Sequence, residues 1–438
     1  MLKRMLIQTQ LSNYDTKGNF ILECDSGFQM VMGRVREMLK LNPELHIDVM
    51  CPKYNEVITY PEKVNADLWE KYGLYGENRL QFVSHYIMPN ALPTRYDFDW
   101  DGISNTLSLQ RHKEKPERRY DAVLINDPMH LRNFKAMFFV VGGYKPKFYV
   151  HSHFIDNPSC PKFPTEASLW LGQCEAAIRA DHNFWQCESA MEIFFDEMKD
   201  FFTEDVVKFT REKSDPWDDG YSSEEITSPV NMTNVRFNPI VFDKWRESGK
   251  KVIFVPNRIG GRGRSSDYTN CGKFMFDILP EFAKRRSDFV VLAGNPSQKF
   301  FNGELEAECG PHGYISLVPD AFNRDEFKLI ARNSSIALGL YDQDSYGGTV
   351  ARECIELGCN PLWLDNYEYA SLAKGYPFLV KPDFSDLVDK LDFMFNVMQN
   401  GDARGLARWL LDLQKVVRER CSYESTTPIA MRKMQLLV

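Results

Sequence analysis

The run IALGLYDQDSYGGTVARECIELGCNPLWLD, residues 336–365, decides the fold. It opens on a short apolar stretch, IALGLY (336–341), and passes through a turn carrying Gly347 and Gly348. A helix-compatible segment follows, and the run closes on a second apolar stretch, NPLWLD (360–365). A strand, a glycine turn, a helix and a strand within one short run make a βαβ unit, and such a unit requires a parallel sheet. The same alternation extends upstream through KVIFVPN (251–257), FVVLAG (289–294) and YISLVP (314–319). These runs predict a doubly wound parallel-sheet domain over 241–395, followed by helices over 396–438 that would pack back on the first half.

The N-terminal half alternates in the same way. Met5–Gln8, HIDVMC (46–51), DAVLIN (121–126), KFYVHSH (147–153) and HNFWQCES (182–189) interleave with helical stretches near Phe28–Leu41, Arg132–Val141 and 190–202. The span from residue 51 to about 119 reads as irregular. Residues 211–250, opening on REKSDPWDDGYSSEE, read as an exposed acidic linker. The prediction is therefore α/β, with two doubly wound, Rossmann-like domains, 1–240 and 241–395, facing a cleft at the carboxyl ends of their strands.

Composition sets the outer limits. A chain of 438 residues, 43% hydrophobic and 26% charged, is globular rather than disordered or fibrous. The net charge of −8 excludes a bulk polyanion binder, so nucleic acid could be met only through local basic loops. The start, MLKRMLIQTQ, lacks the apolar run of a signal peptide, and no stretch approaches the roughly 18 apolar residues of a membrane span. Ten cysteines without a CxxC pair predict free thiols and a cytoplasmic setting.

Five clusters carry candidate chemistry. Arg258-Ile-Gly-Gly-Arg262-Gly-Arg264, leading to Lys273, is a glycine-rich basic loop after a strand, suited to phosphate oxygens. In the opening stretch, Gly347, Gly348 and Thr349 begin a helix whose free N–H groups would meet an anion. Glu353 and Glu356 lie one turn apart on that helix, where a carboxylate could hold a ribose diol. His151 and His153 share one side of a strand end, near Asp156. They could serve as a general base or contact a sugar, and the lack of a third ligand of matching spacing argues against a metal. Asp97-Phe-Asp99-Trp-Asp101 resembles a cation loop but lies away from any strand end, and Arg111–Arg119 is a basic stretch that could track a phosphate backbone.

Taken together, Tyr346–Pro361 and the loop 257–273 resemble the C-terminal half of GT-B glycosyltransferases, especially the retaining group with an E-x7-E motif. Glu353 falls at the second Glu position, while Ser345, beside Asp344, occupies the first. A narrower similarity is to phage DNA α-glucosyltransferases. Asn257–Arg262, Lys273–Asp277, Asp121–Asn126, Tyr144-Lys-Pro with Val150–His153, and Ile355–Gly358 carry it. The resemblance implies transfer, with retention, from a nucleoside-diphosphate sugar, UDP-linked, with no metal and no tightly bound cofactor. Arg258, Arg262 and Lys273 would balance the diphosphate, Glu353 (or Glu356) would hold the ribose, and Ser345 and Asp344 would contact the sugar. His151 or His153 would face the acceptor. The implied acceptor is a hydroxymethylated pyrimidine in double-stranded DNA, met by loops 111–119 and 258–264. Alternative readings are a polysaccharide, lipid-linked or small-molecule acceptor, and a non-catalytic sugar-nucleotide or DNA-binding module.

Overall fold

A computed structural model describes residues 2–9, 26–53, 74, 77–86, 119–153, 166–256, 271–294, 314–318, 322–340, 348–400 and 403–437. The chain forms two compact units. One comprises Met1–Gly220 with Tyr423–Val438, the other Tyr221–Ser422. The division thus falls after Gly220 rather than at 240, and the final helix returns to the first unit.

The first unit is built on a seven-stranded parallel sheet. Its strands are β1 (Arg4–Gln8), β2 (His46–Lys53), β3 (Leu80–Tyr86), β4 (Ala122–Ile125), β5 (Lys147–Ser152), β6 (His182–Trp185) and β7 (Ser214–Pro216). Their order is β3-β2-β1-β4-β5-β6-β7, so the winding reverses between β1 and β4. Two of these strands lie where the sequence suggested none. β3 falls in the span read as irregular and β7 in the span read as linker. β7 is a three-residue edge strand, too short to show an apolar pattern, and it is held by its register with β6.

Alternation along the strands explains why this sheet is covered on both faces. Met5, Ile7, Ile47, Val49, Ala122 and Leu124 enter one core, with α1 (Ser26–Leu41) and the C-terminal α6 (Tyr423–Lys433). Their neighbours Leu6, Met50, Val123, Ile125, Phe148 and Val150 enter another, with Leu131, Phe134 and Phe138. Successive side chains on a strand point to opposite faces, so a near-continuous apolar strand can serve two cores. Each large side chain removed from water in this way contributes about 1.5–3 kcal/mol.

α1 and α6 meet closely at Gly33, where a Cβ would overlap the Tyr423 ring. Gly33→Leu should therefore lower the unfolding free energy by about 1–3 kcal/mol through overpacking. Urea unfolding measures this. A midpoint equal to wild type would show that the two helices do not pack as described.

The second unit has a five-stranded parallel sheet in the order β10-β9-β8-β11-β12. The strands are β8 (Lys251–Val255), β9 (Phe289–Gly294), β10 (Ile315–Val318), β11 (Ile336–Gly339) and β12 (Asn360–Trp363). All five lie within the apolar runs read from sequence. α3 (Arg324–Asn333) precedes β11, α4 (Thr349–Glu356) joins β11 to β12, and α5 (Ala403–Cys421) packs on α4. α2 (Glu166–Arg179) belongs to the first unit, between β5 and β6. Among the described residues no helix is long and apolar enough to cross a membrane.

Candidate functional site

In the first unit the polar side chains gather at the carboxyl ends of the strands. β5 delivers His151 and His153, two residues apart, and the chain after β7 delivers Trp217, Asp218 and Asp219. Asp219 Oδ2 takes a hydrogen bond from His153 Nδ1. Its Oδ1 lies 3.3 Å from His151 Nε2 and 3.3 Å from an Arg34 Nη. Arg34, on α1, donates to the carbonyl oxygens of Trp217 (2.7 Å) and Asp218 (2.8 Å). Its guanidinium also lies 4.1 Å from the centre of the Trp217 ring. With its Nη also 3.0 Å from His151 Nε2, this one buried cation ties α1, the end of β5 and the 217–219 segment together.

Electrostatics separates the two histidines. His151 is fully buried, and burial first, then the Arg34 charge, pushes its pKa down to about 3, so its ring is neutral. His153 is the member of the cluster that reaches the surface, with 13% of its side chain exposed. Burial alone would raise the Asp219 carboxyl. His153, His151 and Arg34 outweigh that and hold it below the usual carboxylate value. Three neighbouring strand ends also carry buried polar atoms with no partner among the described residues: Asn126 Oδ1, His151 Nδ1 and Gln186 Nε2. Buried polar atoms are nearly always hydrogen-bonded, so unmet capacity of this kind calls for an explanation such as a ligand, a water or a catalytic role.

The sequence pointed to His151 and His153 but not to Arg34 or Asp219. It also placed 217–219 in an exposed linker, and the structure corrects this. Trp217 is 1% exposed, and Asp218 and Asp219 are 5% exposed. Two aspartates beside a glycine look solvated in isolation, and it is His153, His151 and Arg34 together that make the burial of the Asp219 carboxylate tolerable.

In the second unit the residues that the sequence singled out and the structure describes gather around α4. Gly348 is its N-cap, and the Gly348 N–H donates to the Tyr369 hydroxyl at 3.0 Å. Tyr369 in turn stacks on Trp363 of β12 at 4.4 Å. Glu353 is buried and accepts two hydrogen bonds from Arg324 of α3, at 2.8 and 2.9 Å. Arg324 also pairs with Glu225. Burial would lower the Arg324 pKa, but the two glutamates raise it well above its ordinary value, so it is a permanent cation.

Glu356 is committed elsewhere. It accepts from the Tyr221 hydroxyl (3.1 Å), Ser223 Oγ (2.9 Å) and Arg418 of α5 (2.7 and 3.0 Å). Its carboxylate holds α4 against α5 and the 221–223 segment. Gly358, with φ of 100°, ends α4 in the left-handed conformation that favours glycine. Lys273 is exposed, its Nζ 4.4 Å from the centre of the Phe384 ring. Arg258, Arg262, Asp344, Ser345 and Gly347 lie outside the described residues, as do the stretches 97–101 and 111–118.

No protein-family model matches the sequence, and no curated protein matches it. Solved structures do match along the whole chain. Anabaena HepE in complex with UDP and glucose has a TM-score of 0.65 at 10% identity, covering 99% of this chain and 100% of that one. Trehalose-6-phosphate synthase, OtsA, has a TM-score of 0.62 at 13% identity, covering 100% of this chain and 99% of that one. Sucrose-phosphate synthase from Thermosynechococcus elongatus has a TM-score of 0.61 at 10% identity, covering 99% and 98%. These proteins share the GT-B architecture, and the chain has that fold.

Proposed function

We propose that the chain is a glycosyltransferase that moves a sugar from a UDP-linked donor to a hydroxyl acceptor, with retention. The observation that carries the reading is the α4 helix of the second unit. Its N-terminus follows a sheet strand, and its buried Glu353 is held by two hydrogen bonds from Arg324 at the second Glu position of the E-x7-E pattern. HepE has been solved with UDP-glucose, which adds support from a protein of the same fold.

In this reading the α4 N-terminus, Gly347, Gly348 and Thr349 meet the diphosphate, and Glu353 meets the ribose. Glu356, with four donors of its own unit, serves as a brace. Departure of the diphosphate builds negative charge, which Arg258, Arg262 and Lys273 stabilise electrostatically. Ser345 and Asp344 contact the sugar, and His153 rather than the buried His151 meets the acceptor. Arg262→Ala should lower kcat about 10²–10³-fold, measured as UDP release. Turnover equal to wild type would remove Arg262 from the site.

The acceptor we favour is a hydroxymethylated pyrimidine in double-stranded DNA, in the cytoplasm of the producing cell, the host cell if the chain is viral. The resemblance of 121–126, 144–153 and 257–262 to phage DNA α-glucosyltransferases supports it, as do the basic stretches 111–119 and 258–264. Reaching such a hydroxyl requires the base to leave the stack. A second reading, a small sugar acceptor, is favoured by the small-acceptor names of the similar structures, sucrose-phosphate synthase and OtsA.

Mass spectrometry of nucleosides from hydroxymethyl-containing DNA, incubated with the protein and a panel of UDP-sugars, tests the first reading. Parallel incubations with glucose and glucose phosphates test the second. A glycosylated nucleoside whose formation weakens steeply with salt is expected. Absence of UDP release in every arm would leave a binding module.

A further inference from the structure

Phe139, Val140 and Val141 stand in water on three consecutive positions, 57%, 75% and 42% exposed. They end the helical run that joins β4 to β5, an α-helix (Leu131–Ala136) continued by a π-helical turn (Met137–Val141). The other face of this run is anchored, with Leu131, Phe134 and Phe138 buried in the core. The turn is also closed, by the Gly142 N–H to the Met137 carbonyl (3.1 Å) and the Tyr144 N–H to the Phe138 carbonyl (3.2 Å). The exposed triplet is therefore a held tip and not a frayed end. Single apolar residues are ordinary on a surface, whereas a contiguous apolar tip marks an interaction site. Charge around it is one-sided. No Asp or Glu occurs between Asp127 and Asp156, in a chain whose net charge is −8. Arg132 and Lys145 are exposed and Lys135 half-buried, and none of the three forms an ion pair among the described residues. Lys145 Nζ lies 4.5 Å from the centre of the Phe139 ring. Asp181 and Glu175 are each matched by a cation of their own, Lys147 (3.2 Å) and Arg179 (3.0 Å).

We propose that Phe139–Val141, with Arg132, Lys135 and Lys145, is a docking surface for an anionic lipid membrane. The tip enters the headgroup layer, and the three cations meet lipid phosphates while their long stems lie along apolar surface. Binding of this kind needs two signals together, a few inserted apolar groups and a basic patch, and both are present. A stable protein interface takes roughly 800 Å² from each partner, far more than three partly exposed side chains supply. A second copy of the chain is a poor occupant, because a symmetric contact would set the same cations face to face. The run leaves β4 at its carboxyl end and returns the chain to the amino end of β5. The tip thus lies at the opposite end of the sheet from His153 and Asp219. The surface goes beyond the sugar-transfer reading and does not depend on it.

Co-sedimentation of the full chain with vesicles tests this, using phosphatidylcholine alone and phosphatidylcholine mixed with an equal amount of phosphatidylglycerol. The wild-type protein should bind the mixed vesicles, bind the neutral ones far less, and release as salt is raised. Arg132→Glu with Lys145→Glu should lower the partition coefficient about 30-fold, and Phe139→Ser with Val140→Ser about tenfold. All four positions are exposed, so the fold should survive these changes. Lys244→Glu with Lys415→Glu alters the net charge equally on exposed positions of the second unit and should bind as wild type. No binding to the mixed vesicles overturns the proposal, as does binding that either tip variant leaves intact. An equal loss in the Lys244 and Lys415 variant overturns it too, by assigning the effect to net charge. Sedimentation velocity without lipid completes the test: a dimer that Phe139→Ser with Val140→Ser abolishes would give the surface to a second copy and overturn the membrane.

Discussion

Arg324→Leu should unfold at a free energy about 3 kcal/mol below wild type in urea titration. The arginine spans Glu225 and Glu353, and removing it leaves two carboxylates with side chains only 24% and 8% exposed facing each other without a cation. Loss of one partner from a buried pair costs about 3–5 kcal/mol, because the orphaned charge keeps its desolvation penalty. The Arg324 side chain is 33% exposed, and water screens part of the charge, which sets the expectation at the lower end. Glu353→Gln should cost less, since Arg324 keeps Glu225. If Arg324→Leu falls within about 0.5 kcal/mol of wild type, the ordinary range for surface substitutions, the bridge does not hold Glu353 in place.

The second large effect is on pH dependence. His151 has a folded-state pKa of about 3, whereas an unfolded histidine titrates near 6.5. The depressed value means its contribution is fully present above about pH 6.5. It is lost as the pH falls toward 3, because in that window the unfolded chain binds a proton the folded chain refuses. The slope is about 1.4 kcal/mol per pH unit. Asp219, itself held ionised by His153, His151 and Arg34, loses stability in the same direction at lower pH. Comparing urea unfolding of wild type and His151→Asn between pH 7 and pH 4 isolates the histidine. The variant's curve should be flatter by about that slope, and parallel curves would show that His151 is not buried as a neutral ring.

Both effects come from groups the local sequence describes poorly. Glu353 and Glu356 look alike on paper, one turn apart on the same helix. The tertiary structure separates them, giving one a single bidentate arginine and the other a hydroxyl pair and a second arginine. His151 and His153 are likewise equivalent at the strand end until burial, helped by Arg34 more than a hundred residues upstream, drives one ring neutral and Asp219 engages the other. The strands β8–β12 were readable because each is a short apolar run between turns, whereas β3 and β7 were not. β7 has no apolar pattern of its own and exists through its pairing with β6.

What the sequence determined by itself, then, is what depends on neighbours within a few residues: the apolar periodicity of the strands, the helix start at Gly348 and the two parallel sheets these imply. The tertiary structure alone decided which charges are buried and what each one holds. Desolvation and Coulomb energy depend on distance in space, and the residues that answer Asp219, Glu353 and Glu356 lie from 29 to 185 positions away along the chain.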